Sequence, residues 1–111
     1  MATGNAMHPV VEAAINALQT GDRTAWQILF APDAKLFDDG KPRDLATFAN
    51  EVIGHERFTR IESLNNSGLN VVGRFHSDLW GDFRVYFNFY LSPDGKIVRL
   101  DIGQAEQGSA T

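Results

Sequence analysis

A chain of 111 residues fits one domain, and its 43% apolar content is enough to build a core. A net charge of -4, with Lys and Arg scattered, argues against nucleic acid and against anionic membranes, both of which select a clustered basic face. The absence of Cys excludes disulfides, thiol catalysis and thiolate metal sites.

Residues 1–7 are small and polar and are expected to fray. The start, MATGNAMHPVVEAA, has no basic segment followed by a long apolar run, so no secretory signal is expected. Pro9 suits a first helical turn, where its missing N–H costs nothing. Val10, Val11, Ala14, Ile15 and Leu18 then recur at helical spacing, and Gly21 after Thr20 ends the helix. Asp22 reads as the N-cap of a second helix with Trp26, Leu29 and Phe30 on its apolar face, stopped by Pro32. Residues 34–38 predict a short strand, and Asp39-Gly40-Lys41-Pro42 a turn. Asp44 caps the clearest helix, in which Leu45, Phe48, Ala49, Val52 and Ile53 form one apolar stripe that Gly54 closes.

From Arg57 the pattern changes. Four strands are predicted at 57–65, 69–76, 83–91 and 96–102, with turns at Asn66-Ser67-Gly68, at 77–81 and at Ser92-Pro93-Asp94-Gly95. The short gaps make neighbouring strands antiparallel hairpin partners. The third strand alternates most clearly, with Phe83, Val85, Phe87, Phe89 and Leu91 on one face. The other face carries Arg84, Tyr86, Asn88 and Tyr90. Residues 105–111 are expected to form a flexible tail. No apolar stretch approaches membrane-spanning length, so a cytoplasmic protein is expected. The order is helix, helix, strand, helix and a four-stranded meander. A flat sheet cannot hide a face this rich in Phe. We therefore expect one α+β domain, with three helices packed into a strongly curved mixed or antiparallel sheet and a pocket at the open end.

This layout resembles the nuclear transport factor 2-like superfamily (a cystatin-like α+β roll) and, within it, the SnoaL-like proteins. The resemblance is carried by five features. They are the helix break at Gly21-Asp22, the exit Ala31-Pro32-Asp33-Ala34, and the strand Leu36-Phe37-Asp38-Asp39. To these are added the helix start Arg43-Asp44-Leu45 and the turn Pro93-Asp94-Gly95-Lys96-Ile97. It covers residues 8–104. It implies a cone-shaped fold, usually dimeric through the outer sheet face. It also implies a superfamily that spans isomerases, cyclases, hydrolases and transport factors, so fold alone does not fix function.

The position of Asp38 looks like that of the general base in the ketosteroid isomerases of this superfamily. A carboxylate at an apolar mouth can move protons near neutrality. Asp38-Asp39-Gly40 is equally good turn chemistry. Those isomerases also need a proton-donating oxyanion site. The corresponding positions fall near Ala14 and Phe87, neither of which can donate, so steroid isomerisation is not expected.

His76, near Asp78, is a second and weaker acid–base candidate; the alternative is a solvated hairpin end. Trp26, Phe30, Phe48, Phe87 and Phe89 are the expected ligand-binding walls, although each could equally be plain core. If Phe87 faces in, Arg84, Tyr86 and Tyr90 face out and form a homodimer surface. Asp101 then also turns outward, with Arg99 or Arg84 as partner, and Trp80 caps the cone or packs on a second subunit. His8, His55 and His76 show no metal-ligand spacing, so neither metal nor cofactor is expected. The partner implied is a small apolar or amphipathic ligand, bound by an isomerase, cyclase or hydrolase that uses Asp38. The alternative is a non-catalytic dimeric binding or protein-interaction module of the same fold.

Overall fold

A computed structural model describes residues 7–79 and 81–105. Helix α1 runs Pro9–Thr20 with the proline in its first turn. Its N-cap is His8, whose ring Nδ1 accepts the Val10 N–H at 3.1 Å. Gly21 ends it in the left-handed conformation (φ 74°), where a side chain would be strained. Val11, Ala14, Ile15, Ala17 and Leu18 form its buried face. Met7, expected in a frayed segment, packs against the core. The remaining tail expectations, at residues 1–6 and 106–111, lie outside the described residues, as does Trp80.

Helix α2 is shorter than the sequence predicts. It spans Arg23–Gln27, capped by Asp22, which accepts the Ala25 N–H. Strand β1 already begins at Phe30 and runs to Asp38, with Pro32 inside it. Two facts account for this correction. Leu29 C=O accepts from Ile97 N–H at 2.9 Å, so pairing with the last strand captures the chain before another helical turn forms. The register then shifts between Phe30 and Lys35, so Pro32 lies where the ladder is interrupted and its missing N–H is not needed. Phe30 keeps its place in the core by packing its ring, tilted, against Trp26, with ring centres 4.9 Å apart.

The Asp39-Gly40 turn (φ 52° and 84°) has the left-handed pair of a tight hairpin. It leads into a short strand that the sequence did not announce, β2 at Lys41–Arg43. Helix α3 spans Leu45–Val52, and Asp44 caps it by accepting from the Thr47 amide and hydroxyl. The meander follows as β3 (Glu56–Asn65), β4 (Asn70–Ser77), β5 (Gly81–Leu91) and β6 (Ile97–Gln104). Sheet order is β2-β1-β6-β5-β4-β3. The β1–β6 pair is parallel and every other pair is antiparallel.

The curvature has a local cause. Along β3 the register against β4 shifts twice, between Phe58 and Arg60 and again between Ile61 and Ser63. Such bulges bend a strand and increase its twist. Gly73 on β4 lies under this segment, where an added Cβ would collide with the Arg60 carbonyl oxygen and sit 3.1 Å from Phe58 Cδ1. Helix α1 fastens the same place. The Gln19 side-chain amide donates to Phe58 C=O and accepts from Phe58 N–H, both at 2.8 Å, as a neighbouring strand would.

The concave face is closed by aromatics. Phe87 is the centre, with rings of Phe58 at 5.0 Å, Phe75 at 5.7 Å, Phe89 at 6.3 Å and Phe48 at 6.5 Å. On β5, Val85, Phe87 and Phe89 are buried, whereas Arg84, Tyr86, Asn88 and Tyr90 lie on the convex side, the facing expected from the sequence. Leu100 and Ile102 face in on β6, and Asp101 turns out to meet Arg99 Nε at 2.7 Å. Among the described residues no helix is long and apolar enough to cross a membrane.

Candidate functional site

Several strand ends converge at one end of the sheet. Asp38 of β1 pairs with Ile102 of β6, Ile102 with Phe87 of β5, and Ser77 of β4 with both Gly81 and Glu56. Helix α3 crosses above them. Between them lies an open-mouthed cavity of about 1010 Å³. Its floor is apolar: Phe48 and Val52 from α3, with Phe75, Phe83, Val85 and Phe87 from the sheet. Its rim carries ionisable groups, with Asp38, Asp39, Glu51, Glu56 and Asp78 beside Arg43 and His55.

Asp38 lines this cavity and is one-third exposed. Its Oδ2 accepts from Arg43 Nη1 at 2.8 Å. Arg43 also donates to Glu51 Oε1 at 2.6 Å and stands over the Phe48 ring at 5.2 Å. One guanidinium thus balances two carboxylates while resting on the cavity's aromatic wall.

Across the mouth the structure presents a group that the sequence reasoning passed over. Glu56, the first residue of β3, is half-buried in the cavity wall. Its Oε2 accepts from the hydroxyl of Ser77, a side chain 1% exposed, at 2.9 Å. Burial pushes the Glu56 carboxyl above the ordinary range for glutamate. The Ser77 hydrogen bond and the charge of Arg43 oppose the shift, and the negative charges of Asp78 and Glu51 add to it. The signal was available in the alternation. Residues 56 and 58 share a face, so an inward Phe58 brings Glu56 inward once the strand starts one residue earlier. Ser77 follows likewise from Val71 and Phe75.

The other sequence-derived candidates are dispersed. Phe48 and Phe87 line the cavity. Trp26 and Phe30 line a separate cleft of about 420 Å³ between β1 and α3. Phe89 is 1% exposed and packs behind Phe87. His76 sits on the convex side of β4, away from the cavity lining, with Nδ1 2.7 Å from Asp82 and Nε2 3.5 Å from Asp78. Among the described residues no group of three or more His, Cys, Asp or Glu side chains could hold a metal ion.

No protein-family profile matches this sequence, and no curated protein matches it. Solved structures do. An NTF2-like protein of unknown function from Cytophaga hutchinsonii aligns over 100% of both chains at 13% identity, with a TM-score of 0.73. A candidate polyketide cyclase from Sinorhizobium meliloti aligns over 86% of this chain and 94% of its own, at 21% identity and TM-score 0.69. The Orange Carotenoid Protein of Anabaena (Nostoc) sp., bound to canthaxanthin, aligns over 94% of this chain but only 38% of its own, at 20% identity and TM-score 0.74. The chain therefore has the NTF2-like α+β fold that its sequence resembles; identities this low carry the fold alone.

Proposed function

We propose that this protein binds a small apolar or amphipathic molecule in the cavity between α3 and the concave sheet, with Asp38 as the candidate base for isomerase-, cyclase- or hydrolase-type chemistry. The observation that carries the proposal is the cavity itself: about 1010 Å³, floored by Phe and Val and rimmed by ionisable groups. The excess of carboxylates on the rim disfavours an anionic ligand. The canthaxanthin-bound neighbour and the candidate cyclase support a ligand-binding use of the same fold. Phe48 and Phe87 are the walls a ligand would touch; Trp26, Phe30 and Phe89 shape the core behind them.

We further propose a cytoplasmic homodimer formed through the convex face. Tyr90, 44% exposed, and Tyr86 lie there, and Arg84 is held in place by Glu62 at 2.7 Å. Arg99 lies over Phe37 at 4.4 Å and Tyr90 at 5.3 Å, and aromatic and Arg side chains of this kind are enriched at interfaces.

A second reading is favoured by one contact. Asp38 is held by Arg43 rather than poised alone, which suits a non-catalytic binding or protein-interaction module. Native mass spectrometry of the protein isolated from cell extract tests both. A retained small molecule, displaced when Phe87 is replaced by a charged residue, supports the ligand-binding reading. A protein that is always empty, and that takes up no apolar compound from a screened set, refutes it.

A further inference from the structure

We propose that Glu56 is a proton-dependent recognition residue of this cavity: in its protonated form, held by Ser77, it donates a hydrogen bond to the carbonyl oxygen of a neutral, largely apolar ligand. The proposal rests on the ligand-binding reading of the cavity and adds the class of ligand.

Four observations carry it. Glu56 is placed by a strand rather than a loop, and its side chain shares the inward face with Phe58. Ser77 fixes one carboxyl oxygen, Oε2, from a fully buried position, and the Ser77 oxygen also accepts the Leu79 N–H at 3.2 Å. Among the described residues, the other oxygen of Glu56 makes no hydrogen bond and no cation lies within ion-pair distance. By contrast, Asp38 and Glu51 are tied to Arg43. The neighbouring surface is aromatic, with Phe75, Phe83 and Phe87 contributing to the same cavity.

A half-buried carboxyl without a cation favours its neutral form, since burial penalises the charged form far more than the neutral one. The charged groups acting on it are Arg43 from β2, Glu51 from α3 and Asp78 after β4; His55, before β3, also lines the cavity. Two of these four are acidic and reinforce the neutral form. A neutral carboxyl has one O–H to give, and its natural complement is a carbonyl oxygen. The acidic rim excludes carboxylate ligands, and the floor demands an apolar body. A neutral ketone, ester or quinone meets all three conditions.

Linkage sets the signature. If only the protonated form binds the carbonyl, affinity falls by about tenfold per pH unit above the Glu56 midpoint. Calorimetry with 2-acetylnaphthalene, and with 2-ethylnaphthalene as the carbonyl-free analogue, tests this at about pH 5 and about pH 8. The ketone should lose affinity at the higher pH and the hydrocarbon should not. Glu56→Gln keeps an acceptor for Ser77 and always offers an N–H, so it should bind the ketone equally at both pH values. In the wild-type protein, a carbon-13 titration of the Glu56 carboxyl should move to higher pH when the ketone is added. A pH slope shared by both probes, a slope that survives in Glu56→Gln and vanishes in His55→Gln, or an unmoved carboxyl titration overturns the assignment. Failure of both probes to bind at about pH 5 overturns the ligand-binding reading itself.

Discussion

Replacing Gly73 by alanine tests the origin of the sheet's curvature. Gly73 is not one of the positive-φ glycines, so alanine meets no backbone strain and should gain about 0.5–1 kcal/mol over glycine in a strand. Against this, the new Cβ would collide with the Arg60 carbonyl oxygen and lie 3.1 Å from Phe58 Cδ1 and 3.3 Å from Ile61 Cα. Two of these three atoms are backbone, in the stretch that bulges twice and that Gln19 holds at Phe58. Relief requires moving the bulge, so the overpacking term should lie near the upper end of its range, about 3 kcal/mol. The net loss is about 2 kcal/mol, or about 8 °C in Tm for a chain of this size. Urea and thermal unfolding followed by circular dichroism would measure it. Gly40→Ala is the control. Nothing lies within 4 Å of its Cβ, but its φ of 84° is strained for alanine. Asparagine should relieve the strain at Gly40 and aggravate the collision at Gly73. A Gly73→Ala change within about 0.5 kcal/mol of wild type would show that the bulged strand yields freely, and the bulges could then not be what holds the sheet in its curve.

Three further outcomes follow from the site and core. Arg43→Met breaks ion pairs with Asp38 and Glu51 that are one-third or more exposed, so stability should fall by less than about 1 kcal/mol. The same change removes a charge that opposes the Glu56 shift, so the Glu56 carboxyl should titrate still higher by carbon-13 NMR; a downward movement contradicts the assigned neighbours. Because the folded-state pKa of Glu56 is raised, its contribution to stability is complete below the ordinary glutamate value and is lost as pH rises through the raised one. Glu56→Gln should therefore gain stability relative to wild type across that window in urea titrations, and an opposite slope refutes the shift. Among the described residues Trp26 Nε1 is buried without a hydrogen-bond partner, so Trp26→Phe removes an unmet donor as well as volume. The two effects oppose, and the net change should stay within about 1 kcal/mol by calorimetry, against about 3–5 kcal/mol for Trp26→Ala.

Most of the fold was legible because its signals are local. Pro9, Gly21, Asp22 and Asp44 sit at the helix ends where their backbone chemistry is needed, and Phe83 to Leu91 alternates without interruption. The second helix was over-extended because Leu29 and Phe30 fit a helical face. What ends it is a non-local bond to Ile97, and no periodicity within residues 22–32 records a partner so distant in the chain. The site was only half legible. Asp38 stood out at a turn, but its pairing with Arg43 requires β2, a strand too short to leave a pattern. Glu56 was missed by a one-residue error at a strand start. The environment that makes it interesting comes from a serine 21 residues later in the chain.

The Gln19 clamp bears on assembly. An edge strand exposes unpaired N–H and C=O groups that invite another chain to join the sheet, the route to runaway polymerisation. On β3 the amide of Gln19 already occupies both backbone groups of Phe58, and the bulges beside it spoil a straight template. A strand approaching along that border finds no free donor or acceptor at Phe58. The clamp thereby guards one border of the sheet against growth into an open-ended ribbon.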